Sequence, residues 1–173
     1  MKKLSYFLYI LSILSLTLAI SCSDDQKDDI LEDETLEQEE IDEETIVSES
    51  DTTIVEEILQ LINEYRQSKN LSSLTMNSTA NQLAADHTQY MISQGKISHD
   101  DFSLRADALN EQEGARATAE NVASSYPDAE SVVNAWIASE GHRKNIEGTY
   151  THTGIAVIQD ENNRYYYTQL FFR

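Results

Sequence analysis

The side chains that could carry chemistry are scattered. His99 stands in "ISHDD", Glu120 in "AENVA", and Ser139, Glu140 and His142 in "WIASEGHRKNI". Imidazoles, carboxylates and hydroxyls of this kind move protons, hold metal ions or fix polar ligands. No local spacing ties them into a unit. The chain has no H-E-x-x-H, no G-x-S-x-G, no phosphate loop and no Rossmann glycine set. Its single cysteine, Cys22, sits at the end of an apolar leader, which excludes both a cysteine nucleophile in the body of the chain and an intramolecular disulfide. Any site must be assembled by the fold from distant segments.

The elements that must do this can be read from periodicity. "IVEEILQLINEYRQSKN" places Ile54, Ile58, Leu61, Ile62 and Tyr65 on one helical face, with "DTT" before it as a cap. "LSSLTMN" is a break. "STANQLAADHTQYMISQG" is a second helix, with Leu83, His87, Tyr90 and Met91 on one side and Gly95 just past its end. A loop and a short helix follow, and "ARATAENVASSY" reads either as a short strand or as an irregular segment. "PDAESVVNAWIAS" is a third main helix capped by Asp128, with Val132, Val133, Trp136 and Ile137 facing inward. It runs on toward His142, so that Ser139 and His142 are expected near the end of one helix. Glu140 then points about 100° further round. "THTGIAVIQ" and "RYYYTQLFF", joined by "DENN", form a β-hairpin. Helices first and strands last predict an α+β domain. His87, on an apolar helix face, reads as a satisfied core histidine, and His152 as exposed at a strand start. Tyr165, Tyr166 and Tyr167 read as strand packing.

The first third of the chain has a different character. Lys2, Lys3 and an apolar run from Leu4 to Ile20 read as a secretory signal over residues 1–21. "LAISC" resembles a bacterial lipobox, although Ile20 fills a position where a small residue is more usual. That resemblance implies cleavage before Cys22 and a lipid on its sulfur. Between Ser23 and Asp51 there are fifteen acids, one lysine and no aromatic residue. Such a segment buries too little apolar surface to fold, so residues 22–51 are expected to be an acidic disordered tether. Its start, "QKDDI", resembles the signal of lipoproteins shown on the outer face of the outer membrane. The whole-chain charge of −19 therefore belongs mostly to the tether. Residues 52–173 form the folded domain, whose modest acidity argues against a nucleic-acid partner. In a bacterial chain, the "NST" at Asn77 is coincidental.

Taken in order, L-x-x-I-N-x-x-R, A-A-x-H, S-H, E-N-V-A, W-x-x-S-x-G-H-R-x-N-I, G-I-A-V and Y-x-Q-x-F resemble the CAP superfamily (cysteine-rich secretory proteins, antigen 5, pathogenesis-related one), in its disulfide-free bacterial branch. The resemblance spans about residues 54–172. It implies an α–β–α sandwich with a central antiparallel sheet and a cleft ringed by two histidines and two acids. Motif by motif, these are His99, His142 and Glu120. The second acid is replaced by Ser139, three residues after Trp136, which plugs the core below. The His99, Glu120 and His142 trio could hold Zn²⁺, run a proton-transfer network, or simply tie loops together by hydrogen bonds. The expectation is a monomeric, lipid-anchored outer-membrane protein, facing the periplasm or the cell surface, whose cleft binds a small molecule, lipid or protein without catalysis. A zinc-dependent hydrolase and a structural envelope scaffold are the alternatives.

Overall fold

The structure, a computed structural model, describes residues 49–173. The signal, Cys22 and the body of the acidic tether lie outside the described residues. The elements run α1 (Glu49–Ser68), β1 (Thr75–Met76), α2 (Ser78–Gln94), α3 (Phe102–Glu113), β2 (Thr118–Ser124), α4 (Ala129–Ala138), α5 (Glu140–Ile146), β3 (His152–Gln159) and β4 (Tyr165–Phe172).

The strands form one sheet in the order β1-β3-β4-β2. The hairpin of β3 and β4 is antiparallel, as is β4 with β2, where Glu120 faces Leu170 and Asn121 faces Gln169. The sheet is not purely antiparallel: β1 pairs with β3 in parallel over two residues. Because side chains alternate across a strand, the sheet buries both faces. Ile155, Val157, Tyr167 and Phe171 meet Ile58 and Ile62 of α1, Val132, Val133 and Trp136 of α4, and Ile146 of α5. On the other face Ala156, Leu170 and Phe172 meet Ala80 and Ala84 of α2 and Leu109 of α3. This is the expected three-layer α–β–α arrangement. The second interface is so close that a Cβ on Gly154 would collide with the backbone of Ala80. Small residues at 80, 84 and 156 serve the same approach.

The helix signals at 95 and 128 are realised. Asn77 accepts from the Ala80 N–H, so it caps α2. Gly95 is left-handed with φ 64°, and Asp128 accepts from the Ser131 N–H. Two expectations are corrected and one open alternative is decided. "DTT" lies inside α1, which begins at Glu49; acids are favoured in a first helical turn by the helix dipole, so an acidic segment can extend a helix. "ARATAENVASSY" contains a regular strand, β2. The third main helix is broken at Ser139, which is extended (φ −83°, ψ 121°) and separates α4 from α5.

Seven residues are too few for a helix to stand alone in water. Buried donors hold α5 in place. Arg66 is 1 % exposed and is met among the described residues by backbone carbonyls. Its Nη1 donates to the carbonyls of Ile146 (2.5 Å) and Gly148 (2.8 Å), its Nη2 to Tyr150 (3.1 Å) and its Nε to Ser72 (2.8 Å). One guanidinium thus joins the end of α1 to the end of α5. Arg143 Nη1 donates to the Ile137 carbonyl at the end of α4. Replacing Arg66 with Leu leaves these carbonyls without their donor, at about 1–3 kcal/mol for a buried unsatisfied group. We expect Arg66→Leu to lower stability by at least ~3 kcal/mol in urea unfolding and Arg66→Lys to restore less than half of it, since an ammonium cannot span the four acceptors. A loss below ~1 kcal/mol would show that α5 is held without it.

Candidate functional site

Strand β2 is an edge of the sheet, and an edge exposes backbone groups that need partners. Asn145 Nδ2 donates to the Glu120 carbonyl (3.1 Å) and Trp136 Nε1 lies 3.4 Å from the Val122 carbonyl, so α5 and α4 close that edge with side chains. Asn145 also donates to Asn121 Oδ1 (2.9 Å), and Asn121 Nδ2 donates to the His142 carbonyl (3.3 Å). Trp136 is fully buried and meets Tyr167 edge-on at 6.4 Å, the core position expected for it. This pinning sets His142 against the end of the sheet where Glu120 lies.

Glu120 projects to the α2–α3 side and is 5 % exposed. A buried carboxylate needs compensation. Arg105 of α3 supplies it as a fork, Nε to Oε2 at 2.7 Å and Nη2 to Oε1 at 2.9 Å. Its Nη1 donates to the Asp100 carbonyl, tying α3 to the preceding loop. His99, in that loop, lies with Nδ1 2.8 Å from Glu120 Oε1. A carboxylate only accepts, so His99 Nδ1 carries the hydrogen and Nε2 is left away from Glu120 on a ring whose side chain is 55 % exposed. His87 is buried as expected and donates from Nε2 to the Ser98 carbonyl (2.8 Å), with Glu120 Oε1 a further 3.9 Å away. Burial pushes its pKa below the ordinary imidazole value, against the pull of the Ser98 carbonyl. The pKa of half-buried His142 is lowered too, first by burial and then by the charge of His99 across the cleft.

Ser139 is the junction itself. Its N–H closes α4 on the Ala135 carbonyl, and its own carbonyl opens α5 by accepting from Arg143 N–H (2.8 Å). Its hydroxyl makes no capping bond. Ser139 and His142 are therefore the cap and third residue of α5, not neighbours at the end of a longer helix. Glu140 is exposed and paired with Lys144 at 2.8 Å, so it takes no part in the cleft. His152 is half-buried, not fully exposed: it stacks on Phe172 at 5.0 Å. Tyr166 and Tyr167 are fully buried in β4, as strand packing requires.

A zinc ion does not fit this arrangement. Both oxygens of Glu120 are engaged by donors, one of them a guanidinium, and Glu120 backs His99 as an outer partner. Two imidazoles then remain, and a catalytic zinc needs three protein ligands. Among the described residues no group of three or more His, Cys, Asp or Glu could hold a metal ion. What the geometry can do is present the imidazoles of His99 and His142 beside the rigid Arg105–Glu120 base. Arg105 was not picked out from the sequence. Nothing local points to a partner fifteen residues on. We expect Arg105→Leu to cost about 3–5 kcal/mol by leaving Glu120 buried and unpaired, and Glu120→Gln in that background to recover most of the loss. Additive losses in the two single variants and the double variant would mean the fork contributes nothing.

The sequence pattern of the cysteine-rich secretory protein family, CAP, matches residues 59–171. The uncharacterized membrane protein YlbC of Bacillus subtilis (strain 168) is 33 % identical over 128 residues, covering 70 % of this chain and 35 % of its own length. A second Bacillus subtilis protein, YkwD, is 31 % identical over 108 residues, covering 60 % of this chain and 42 % of its own length. The chain thus spans well under half the length of these relatives. Among solved structures, an extracellular protein containing an SCP domain from Bacillus anthracis str. Ames superposes with a TM-score of 0.62 at 29 % identity, over 71 % of this chain and 41 % of that one. An outer surface protein of Borrelia burgdorferi shares the fold at a TM-score of 0.64 and 23 % identity, over 74 % of this chain and 96 % of that one. The Arg105–Glu120–His99 cluster beside β2 is therefore carried on a CAP domain, and the chain belongs to the cysteine-rich secretory protein family.

Proposed function

We propose that this protein is a lipid-anchored, extracytoplasmic CAP module that binds a polar ligand at the His99/Glu120/Ser139/His142 cleft without catalysing its conversion. The observation that carries this reading is the saturation of Glu120. A carboxylate locked by Arg105 and His99 is a fixed part of the wall rather than a metal ligand or a free general base. The groups left to meet a ligand are the outward Nε2 of His99, the half-exposed ring of His142 and the Ser139 hydroxyl. The burial-lowered pKa of His142 keeps that ring uncharged at neutral pH. Such a set suits hydrogen-bonding groups on a ligand. A relative named as a membrane protein and solved neighbours titled as extracellular or outer-surface proteins support a place outside the cytoplasm. The anchor rests on "LAISC" and on Cys22 being the only cysteine.

Zinc separates this reading from the hydrolase. With zinc added, the wild-type melting temperature should stay constant. Ser139→Glu supplies a third ligand beside the two imidazoles and should gain a zinc-dependent rise, up to about 2.7 kcal/mol at a hundredfold excess over Kd. That gain should fade in acid, and only below the ordinary imidazole range, because burial lowers the pKa of His142 and zinc takes imidazole in its neutral form. Strong zinc stabilisation of the wild type, lost in both His99→Ala and His142→Ala, would put the metal-dependent hydrolase first.

The anchor has its own test. Stable attachment to a membrane takes more than one acyl chain, which a lipidated Cys22 would provide. Cys22→Ala should leave the membrane fraction or accumulate as precursor, and a variant that fractionates like the wild type would refute the lipid.

A further inference from the structure

The far end of the sheet holds a cavity of its own. Strand β2 ends at Ser124, four residues past Glu120, or about 14 Å along the strand at ~3.4 Å per residue. Beyond that point Ser125, Tyr126 and Pro127, in the link to α4, and Asn163, Arg164 and Tyr165, where the hairpin turns into β4, line a concavity of about 380 Å³. This lies within the roughly 300–1,000 Å³ usual for a small-molecule site.

Its walls are fixed from behind. Ser125 N–H donates to the Tyr165 carbonyl (2.9 Å), which joins the two segments. Fully buried Tyr167 donates from its hydroxyl to the Tyr126 carbonyl (2.8 Å). The ring of Pro127 locks its own φ. Arg164 is held twice: Nε and Nη2 donate to Asp160 Oδ2 (3.0 and 2.8 Å), and the guanidinium lies 4.8 Å from the centre of the Tyr166 ring. A site built in advance loses less freedom when a ligand binds.

The backbone is strained at the same place. Among the described residues four non-glycine residues are left-handed, and two of them, Ser125 (φ 70°) and Asn163 (φ 58°), line this cavity. Glycine would take either conformation at no steric cost. Neither side chain offsets the strain locally, since neither is hydrogen-bonded to another described residue. Strain of this kind gathers where side chains meet ligands.

The lining selects the ligand. Asp160 matches the charge of Arg164, so the cavity favours a neutral group. Tyr126, Pro127 and Tyr165 offer flat apolar surface. The Ser125 hydroxyl and the Asn163 carboxamide each donate and accept, and Arg164 Nη1 keeps N–H groups that Asp160 does not take. A pyranose ring is the complement of this set: it is neutral, with C–H groups on one face and hydroxyls around its rim that both donate and accept.

We propose that the cavity between the β2–α4 link and the β3–β4 turn binds a pyranose sugar, packed on Tyr126 and Tyr165 and held at its hydroxyls by Ser125, Asn163 and Arg164. The proposal is independent of what the His99 cleft binds.

The test titrates the full chain separately with the methyl glycosides of glucose, galactose and N-acetylglucosamine, followed by amide chemical shifts. At least one glycoside should shift Ser125, Tyr126, Asn163, Arg164 and Tyr165 saturably and leave His99 and His142 unmoved. Ser125→Gly and Asn163→Gly remove the polar side chains while relaxing the backbone, so both variants keep the fold, and each should weaken that glycoside at least about fivefold. Chitobiose separates the sources of the sugar: tighter binding than the methyl N-acetylglucosaminide marks a glycan chain, equal binding a free sugar. No saturable shift from any of the three glycosides, unchanged binding in both glycine variants, or the same shifts from glycerol at equal concentration would each overturn the proposal. Tighter binding of Ac-Pro-Pro-Pro-Pro-NH2 than of every glycoside at these residues would overturn it in favour of a proline-rich peptide.

Discussion

A buried carboxylate sets the terms for one side of this domain. Glu120 sits in a strand between two packed layers, and a charge in that position must be met by donors or the fold loses several kcal/mol. Meeting it fixes the placement of three separate segments. Arg105 must reach down from α3, which sets that helix close over β2. The same guanidinium holds the Asp100 carbonyl, and with it the loop that carries His99. His87 closes the remaining side through the Ser98 carbonyl. The cleft is thus the by-product of a charge-compensation problem, and its rigidity comes from the solution.

The opposite wall is built by a different device. Its helix α5 is short, and what holds it is a series of side-chain donors aimed at backbone carbonyls: Arg66, Arg143 and Asn145. Asn63 does the same one turn before Arg66. It donates to the Leu74 carbonyl at 3.1 Å and accepts the Leu74 N–H at 2.7 Å, which fixes the chain just ahead of β1. Several residues that make up the family's recognisable motifs are therefore fasteners. Asn63, Arg66, His87, Trp136 and Asn145 all bond to backbone carbonyls of other segments, and Gly154 is where the α2 backbone needs room.

This explains what could be read in advance. Amphipathic helices, the hairpin and the ordered motifs were legible because each is a local pattern, and the three-layer fold and its family follow from them. Cleft membership for His99, Glu120 and His142 was legible only through the resemblance, since no spacing connects them. The break at Ser139 had a local signal, a serine followed by glutamate, which is how many helices begin. It was masked by the helical run on either side. Arg105 had none, because the feature that makes it important is a carboxylate on a strand with no sequence link to α3. The strand at 118–124 was ambiguous because both of its faces are buried, which removes the alternation by which strands are recognised.

The sheet order carries a consequence for how the domain forms. β4, the latest strand in the chain, lies between β3 and β2, so neither the earlier β2 nor the short β1 has a finished sheet to join until residues 152–172 are available. Arg66 likewise finds three of its four acceptors about eighty residues downstream. Contacts this distant in sequence slow folding, because loop closure comes before the reward. During synthesis the helices α1 and α2 emerge with their apolar faces unpaired and wait. The two sheet faces on which α1, α2 and α4 pack are complete only with the β3–β4 hairpin in place.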